Sequence, residues 1–110
     1  MKKVFVISRR GCQTCEMLEY DLKYIHKVEF QSFSDMETPD IFNEFRAQFK
    51  INRFPVVQID NGVGFTTIHM DNSYTPKESG TGSSIASDLG FIKVNNLSEL
   101  LETTLKSLSK

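Results

Sequence analysis

No apolar run in this 110-residue chain approaches the roughly 20 residues that a membrane-spanning helix needs. The run nearest the N-terminus, Val4–Ile7, follows two lysines and is too short for the apolar stretch of a secretory leader. Membrane insertion and export are therefore not expected, and a cytoplasmic location is. Neither sign of charge is in excess: 13 basic residues against 14 acidic ones leave a net charge of −1. That balance gives no global reason to expect nucleic acid or an anionic membrane as a partner, so recognition by charge has to be local. There is no internal repeat, which argues against a repeat array. Cysteine is scarce, with two residues in the chain.

What is present reads as one globular domain. Hydrophobic residues make up 39% and charged residues 25%, an ordinary balance for a chain with room for a single core. Lys3 to Ser8 reads as a strand rich in β-branched and aromatic residues, long enough to be buried on both faces. From Cys12 to about His26 the pattern is helical, with Leu18, Leu22 and Ile25 at i, i+4 and i+7. Val28, Phe30 and Ser32 alternate with Glu29, Gln31 and Phe33, which suggests a second strand.

Thr38 can cap a second helix, with Pro39 at its first position and Asp40 at the positive end of its dipole. Ile41, Phe42, Phe45 and Phe49 form its apolar face. Pro55 opens a third strand that ends at the turn signal Asp60-Asn61-Gly62, and a fourth strand of about residues 64–70 pairs back as a hairpin. Asn96 and Glu99 resemble a capping box at the head of a last helix whose apolar side is Leu97, Leu100, Leu101, Leu105 and Leu108. A stretch rich in Ser, Gly, Thr and Asp, at about residues 71–90, interrupts the order β-α-β-α-β-β-α as a loop insertion. Phe91–Val94 reads either as a further short strand or as the fourth strand itself.

The chemistry lies at the two cysteines, in "RRGCQTC". They are three residues apart where the first strand ends and a helix begins. A thiol at a helix N-terminus faces unpaired backbone N–H groups and the positive dipole end, both of which favour thiolate. Arg9 and Arg10 add positive charge on the approach, while Glu16 and Glu19 oppose it from further along the helix. Cys12 stands first and most exposed, which makes it the nucleophile. Cys15 returns to the same side after nearly one turn and can attack a mixed disulfide held on Cys12. Gly11 leaves the approach open.

Other roles for the pair compete with this one. A zinc site needs four ligands, and the chain offers two thiols with His26 and His69, which lack the close spacing of a zinc-finger pair; no metal site is expected. A structural disulfide is uncommon in the expected compartment and would close too small a loop to stabilise much. An inert buried pair of thiols and a cluster shared between two chains are further alternatives.

"VFVISRRGCQTC" together with "INRFPVVQIDNG" resembles the glutaredoxin branch of the thioredoxin superfamily. The likeness covers most of the chain except residues 71–94. It implies a thioredoxin fold of α/β class, with a central four-stranded mixed sheet flanked by helices. It also implies a dithiol–disulfide oxidoreductase in which Cys12 attacks and Cys15 resolves. Pro55 would be cis and face the dithiol, and the backbone of Phe54 would pair with an extended substrate or with glutathione. Arg9 falls where the family often has a basic residue for the glutathione glycine carboxylate, and bidentate geometry suits an arginine there. Gln13 and Thr14, between the cysteines, would border the substrate.

The departures are specific. Gln13-Thr14 replaces the frequent Pro-Tyr, Arg53-Phe54 replaces Thr-Val, and the Gly-Gly pair at the end of the fourth strand is absent. Phe65 and Thr66 stand near its direct count, and Asn95-Asn96 precede the last helix. No tightly bound cofactor is implied. Glutathione or a thioredoxin reductase would supply electrons to a monomer whose substrates are disulfide-containing proteins, ribonucleotide reductase being a typical one for the family. A thioredoxin-fold adaptor that binds a partner through the long loop, or an iron–sulfur carrier, would use the same residues differently.

Overall fold

The computed structural model describes residues 2–49, 51–62, 64–71 and 90–109. The first strand, β1 (Lys3–Ser8), matches its expected bounds and leads to helix α1 (Gln13–Tyr20), which runs on into one π-helical turn at Asp21–Ile25. Then come β2 (Gln31–Ser34), α2 (Pro39–Phe49), β3 (Val56–Asp60), β4 (Phe65–His69), β5 (Phe91–Lys93) and α3 (Leu97–Leu108). Most of the expected loop insertion, residues 72–89, lies outside the described residues. Among the described residues no helix is long and apolar enough to cross a membrane.

The sheet has five strands rather than the expected four, in the order β2-β1-β3-β4-β5. β1 is parallel to β2 and antiparallel to β3, and β3 is antiparallel to β4. Of the two readings of Phe91–Val94, the further short strand holds and the fourth strand does not: Phe65–His69 is the fourth strand, and Phe91–Lys93 is a fifth that runs parallel to it, with Ile68 opposite Ile92. Two parallel neighbours need a crossover connection of a dozen or more residues. Residues 70–90 separate these two strands in the chain.

Alternation along the strands sorts the core onto two faces. Val4 and Val6 of β1, Val57 and Ile59 of β3 and Ile68 of β4 pack with Leu18 and Leu22 of α1 and Leu100 of α3. On the other face, Ile7 and Val56 pack with Phe42 and Phe45 of α2, joined by Ile51, Phe54 and Cys15. Ile41 stays exposed, so the apolar face of α2 is narrower than its sequence suggests.

Ile25 is also exposed, against expectation. The π-helical turn is wider than an α turn, and it breaks the i, i+4, i+7 alignment after Leu22. The amide of His26 donates to the carbonyl of Asp21 at 3.0 Å, five residues back, and the chain leaves through Lys27 at φ 56°. β2 consequently starts at Gln31, later than expected, while Val28 and Phe30 pack against the core from the connection before it.

The last helix follows its sequence signals closely. Asn96 accepts from the amide of Glu99 at 2.9 Å, and the Glu99 carboxylate reaches back to the amide of Asn95 at 2.9 Å. Thr104 is fully buried beside Leu100 and satisfies its hydroxyl on the Leu100 carbonyl at 2.7 Å, the i−4 bond that lets a threonine sit in a helix core.

Candidate active site

The site begins with a turn. The amide of Cys12 donates to the carbonyl of Arg9 at 3.3 Å, and Gly11 takes φ 70° between them. That is left-handed backbone, where a side chain is costly. The space around Gly11 is empty, so conformation rather than crowding selects glycine. The turn is pinned to the neighbouring strand's exit: the amide of Arg10 donates to the Asp35 carboxylate, just beyond β2, at 2.8 Å.

Cys12 is the N-cap of α1 rather than its first residue. Its backbone is extended, and its sulfur accepts from the amide of Cys15 at 3.2 Å. Cysteine thus takes the position where serine or aspartate commonly satisfies an orphan amide. The two sulfurs are joined as a disulfide. Cys12 is partly exposed, whereas Cys15 is 2% exposed, packed among the aromatic side chains of the α2 face. An attacking reagent can reach the first sulfur and not the second.

The second wall comes from the loop before β3. The Phe54–Pro55 peptide bond is cis, and both residues are buried. The carbonyl oxygen of Phe54 points at the dithiol, 3.6 Å from Cys12 Sγ and 3.3 Å from Thr14 Oγ1. The same hydroxyl is 3.3 Å from Cys12 Sγ. A disulfide sulfur has no proton to give, so in this state Thr14 is the donor to either acceptor.

The residues singled out in the sequence divide into two groups. Cys12, Thr14 and Phe54 converge within hydrogen-bond range, with Pro55 next in the chain. Arg9 joins them: with Arg10, Gly11, Cys12 and Phe54 it lines a shallow depression of about 270 Å³, and the same two arginines and Cys12 line a second depression that includes Glu16, Glu19, Asp35 and Glu37. Gln13 is not brought into this group. It borders a depression along the outer side of α1 with Glu16, Met17, Tyr20 and Asp21.

A second layer was not legible in the sequence. Asn52 donates its amide to the buried carboxylate of Asp71 at 2.9 Å, and Arg53 donates to the carbonyl of Met70 at 3.1 Å. The chain leaving β4 thereby clasps the loop that carries Pro55. Met70 and Asp71 occupy the dithiol end of β4, where a Gly-Gly pair was expected. Phe65 and Thr66, the nearer residues by simple count, open β4 at the opposite pole.

Next to the clasp, His69 is buried and its Nδ1 accepts from the amide of Asp71 at 3.3 Å. Burial lowers its pKa below the usual 6.5; Asp71 opposes the shift and Lys93 adds to it. His26, by contrast, is exposed. Among the described residues no three His, Cys, Asp or Glu side chains gather as a metal site would require.

Comparison of the chain with protein-family models, with curated proteins and with solved structures returns no match.

Proposed function

We propose that the chain is a glutaredoxin-like dithiol–disulfide oxidoreductase with a thioredoxin-type fold, to which β5 adds an edge strand. One observation carries the reading: the partly exposed Cys12 sulfur caps α1 opposite the Phe54 carbonyl, with Cys15 buried directly behind it. The element order and the position of the cis-proline support it. An inert pair of thiols would not need its first member presented at the surface on the end of a helix.

In the reduced state the Cys12 thiolate attacks one sulfur of a substrate disulfide. An S–S bond forms to Cys12, and the other substrate sulfur leaves as thiolate and takes up a proton. Cys15, deprotonated, then attacks the Cys12 sulfur and expels the second substrate thiolate. Two electrons have moved to the substrate, and the Cys12–Cys15 disulfide remains. Two glutathione molecules can reverse that closure and leave as glutathione disulfide; a thioredoxin reductase can do the same through its own dithiol. The chain's part is to stabilise the Cys12 thiolate through the Cys15 amide and the helix end, and to offer the Phe54 carbonyl to the backbone of an extended substrate. Arg9 would meet a carboxylate in the depression at the sulfur.

Proteins with accessible disulfides, including ribonucleotide reductase, are the proposed substrates, in the cytoplasm and with the chain as a monomer. Reduction of a glutathione mixed disulfide, coupled to glutathione reductase, tests the activity. Turnover is expected from the native chain and none from Cys12→Ser; turnover that survives in Cys12→Ser would refute the assignment.

The missing Gly-Gly pair favours a second electron source: Met70 and Asp71 stand at the end of β4, where the family presents glycine backbone to glutathione. On this reading thioredoxin reductase and NADPH reduce the Cys12–Cys15 disulfide directly, while the glutathione-coupled assay stays silent.

A further inference from the structure

The hydroxyl of Thr14 stands between two acceptors. Its Oγ1 is 3.3 Å from Cys12 Sγ and 3.3 Å from the Phe54 carbonyl oxygen. It has one proton, which can be given fully to only one of them at a time. Neither contact is short, since a strong O–H···O bond spans about 2.5–3.0 Å. The choice therefore rests on which acceptor is the more basic.

That ranking changes with redox state. In the disulfide, Cys12 Sγ is a neutral and weak acceptor, so the carbonyl takes the proton. In the dithiol state the same sulfur carries a negative charge, and a hydrogen bond to an ionised acceptor is roughly twice as strong as a neutral one. We infer that the Thr14 hydroxyl is a redox-coupled switch: it bonds the Phe54 carbonyl when Cys12 and Cys15 are oxidised and the Cys12 thiolate when they are reduced. The inference rests on the proposed dithiol chemistry and assigns Thr14 a part in it distinct from bordering the substrate.

Two effects follow from one rotation of a hydroxyl. The thiolate gains a second donor beside the Cys15 amide, which raises the fraction ready to attack. The Phe54 carbonyl loses its bond on the side facing the thiolate, where a substrate approaching Cys12 arrives, and is free to accept a backbone N–H until the mixed disulfide forms. Once Cys15 has closed the disulfide, the hydroxyl returns to the carbonyl and competes with the departing product. Binding is thus strongest in the state that can react. No covalent bond to Thr14 forms or breaks, and the electrons follow the cysteine exchange alone.

Thr14 is exposed, so substitutions there leave the core intact. Thr14→Val keeps the branched shape without the hydroxyl, and Thr14→Ser restores the hydroxyl. Reduced protein is alkylated with iodoacetamide across a pH series, with product identified by mass. At pH 6 the Thr14→Val rate is expected to fall about three- to tenfold, the profile midpoint moving upward, and Thr14→Ser is expected to recover it; the figure converts a charged hydrogen bond to a thiolate fraction, less the gain in nucleophilicity.

The switch itself is read from the carbonyl ¹³C resonance of Phe54. It is expected to move on reduction of the native chain by more than it moves in Thr14→Val. Identical alkylation profiles for native and Thr14→Val, or identical carbonyl shifts, overturn the inference while leaving the dithiol reading intact. A native profile like that of a free thiol, near 8.5, overturns both.

Discussion

The sulfur of Cys12 lies 3.6 Å from the carbonyl oxygen of Phe54, a residue 42 positions later in the chain. That approach adds a partner distant in the chain to a Cys-x-x-Cys pair already placed at a helix start. It aims a backbone acceptor at the reactive sulfur, and the predictions below follow from how it is held.

The difference in exposure between the cysteines sets their roles. With glutathione disulfide as probe, Cys15→Ser is expected to accumulate a stable one-to-one adduct on the remaining thiol, visible as a single mass increment. Cys12→Ser is expected to accumulate none, because Cys15 is 2% exposed. An adduct on Cys15 in that variant would reverse the order of attack.

Gly11 supplies a conformation and leaves space unused. Gly11→Ala is expected to cost about 1–2 kcal/mol, the penalty of left-handed backbone for a residue with a Cβ. A loss of 1 kcal/mol corresponds to a Tm lower by about 4–8 °C in a domain near this size. Gly11→Asn should cost less, since asparagine tolerates that region better. Thermal unfolding of the three proteins ranks them, and a Gly11→Ala variant as stable as the native chain would contradict the turn.

The clasp between Asp71 and Asn52 can be opened from either side. Asp71→Ala removes a buried acceptor, and a loss of about 1–3 kcal/mol is expected. Asp71→Asn keeps one carbonyl oxygen and should lose less. Amide hydrogen exchange reports the local consequence: the Asn52 N–H is expected to exchange faster in Asp71→Ala than in the native chain. Unchanged protection there would mean that the loop carrying Pro55 is held by other contacts.

His69 makes stability fall in mild acid. Its folded pKa lies below the usual 6.5 because burial disfavours the imidazolium. Above about pH 6.5 it is neutral in both folded and unfolded chains and contributes no slope. Below that value the unfolded chain binds the proton first, so stability declines with falling pH until the folded pKa is reached. His69→Gln is expected to flatten this part of the Tm-against-pH curve. An equally steep curve in the variant would assign the slope to other groups.

Some of this was readable without coordinates because it is local. β1 is a six-residue run whose burial on both faces follows from its composition. The Asn96–Glu99 cap closes within four residues, and the positive dipole end at Cys12 follows from a strand turning into a helix. The apolar face of α2 departs from its sequence pattern at Ile41, which is exposed. Periodicity failed at Ile25, where one π-helical turn changed the phase, and nothing in "DLKYI" announces that turn.

What the sequence by itself determined is the reactive pair, its place at the start of a helix and the alternation that builds a two-faced sheet. All of these depend on residues a few positions apart, so the backbone's own geometry decides them. Only the tertiary structure decided which of two segments is the fourth strand, that a fifth lies parallel to it, and that Phe54 faces Cys12 while Asp71 grips Asn52. Those relationships join residues 19 to 42 positions apart. They exist because β3 pairs antiparallel to β1 and β4 antiparallel to β3, which brings the end of β1, the start of β3 and the end of β4 to one pole of the sheet. A pattern of neighbours along the chain carries no record of that return.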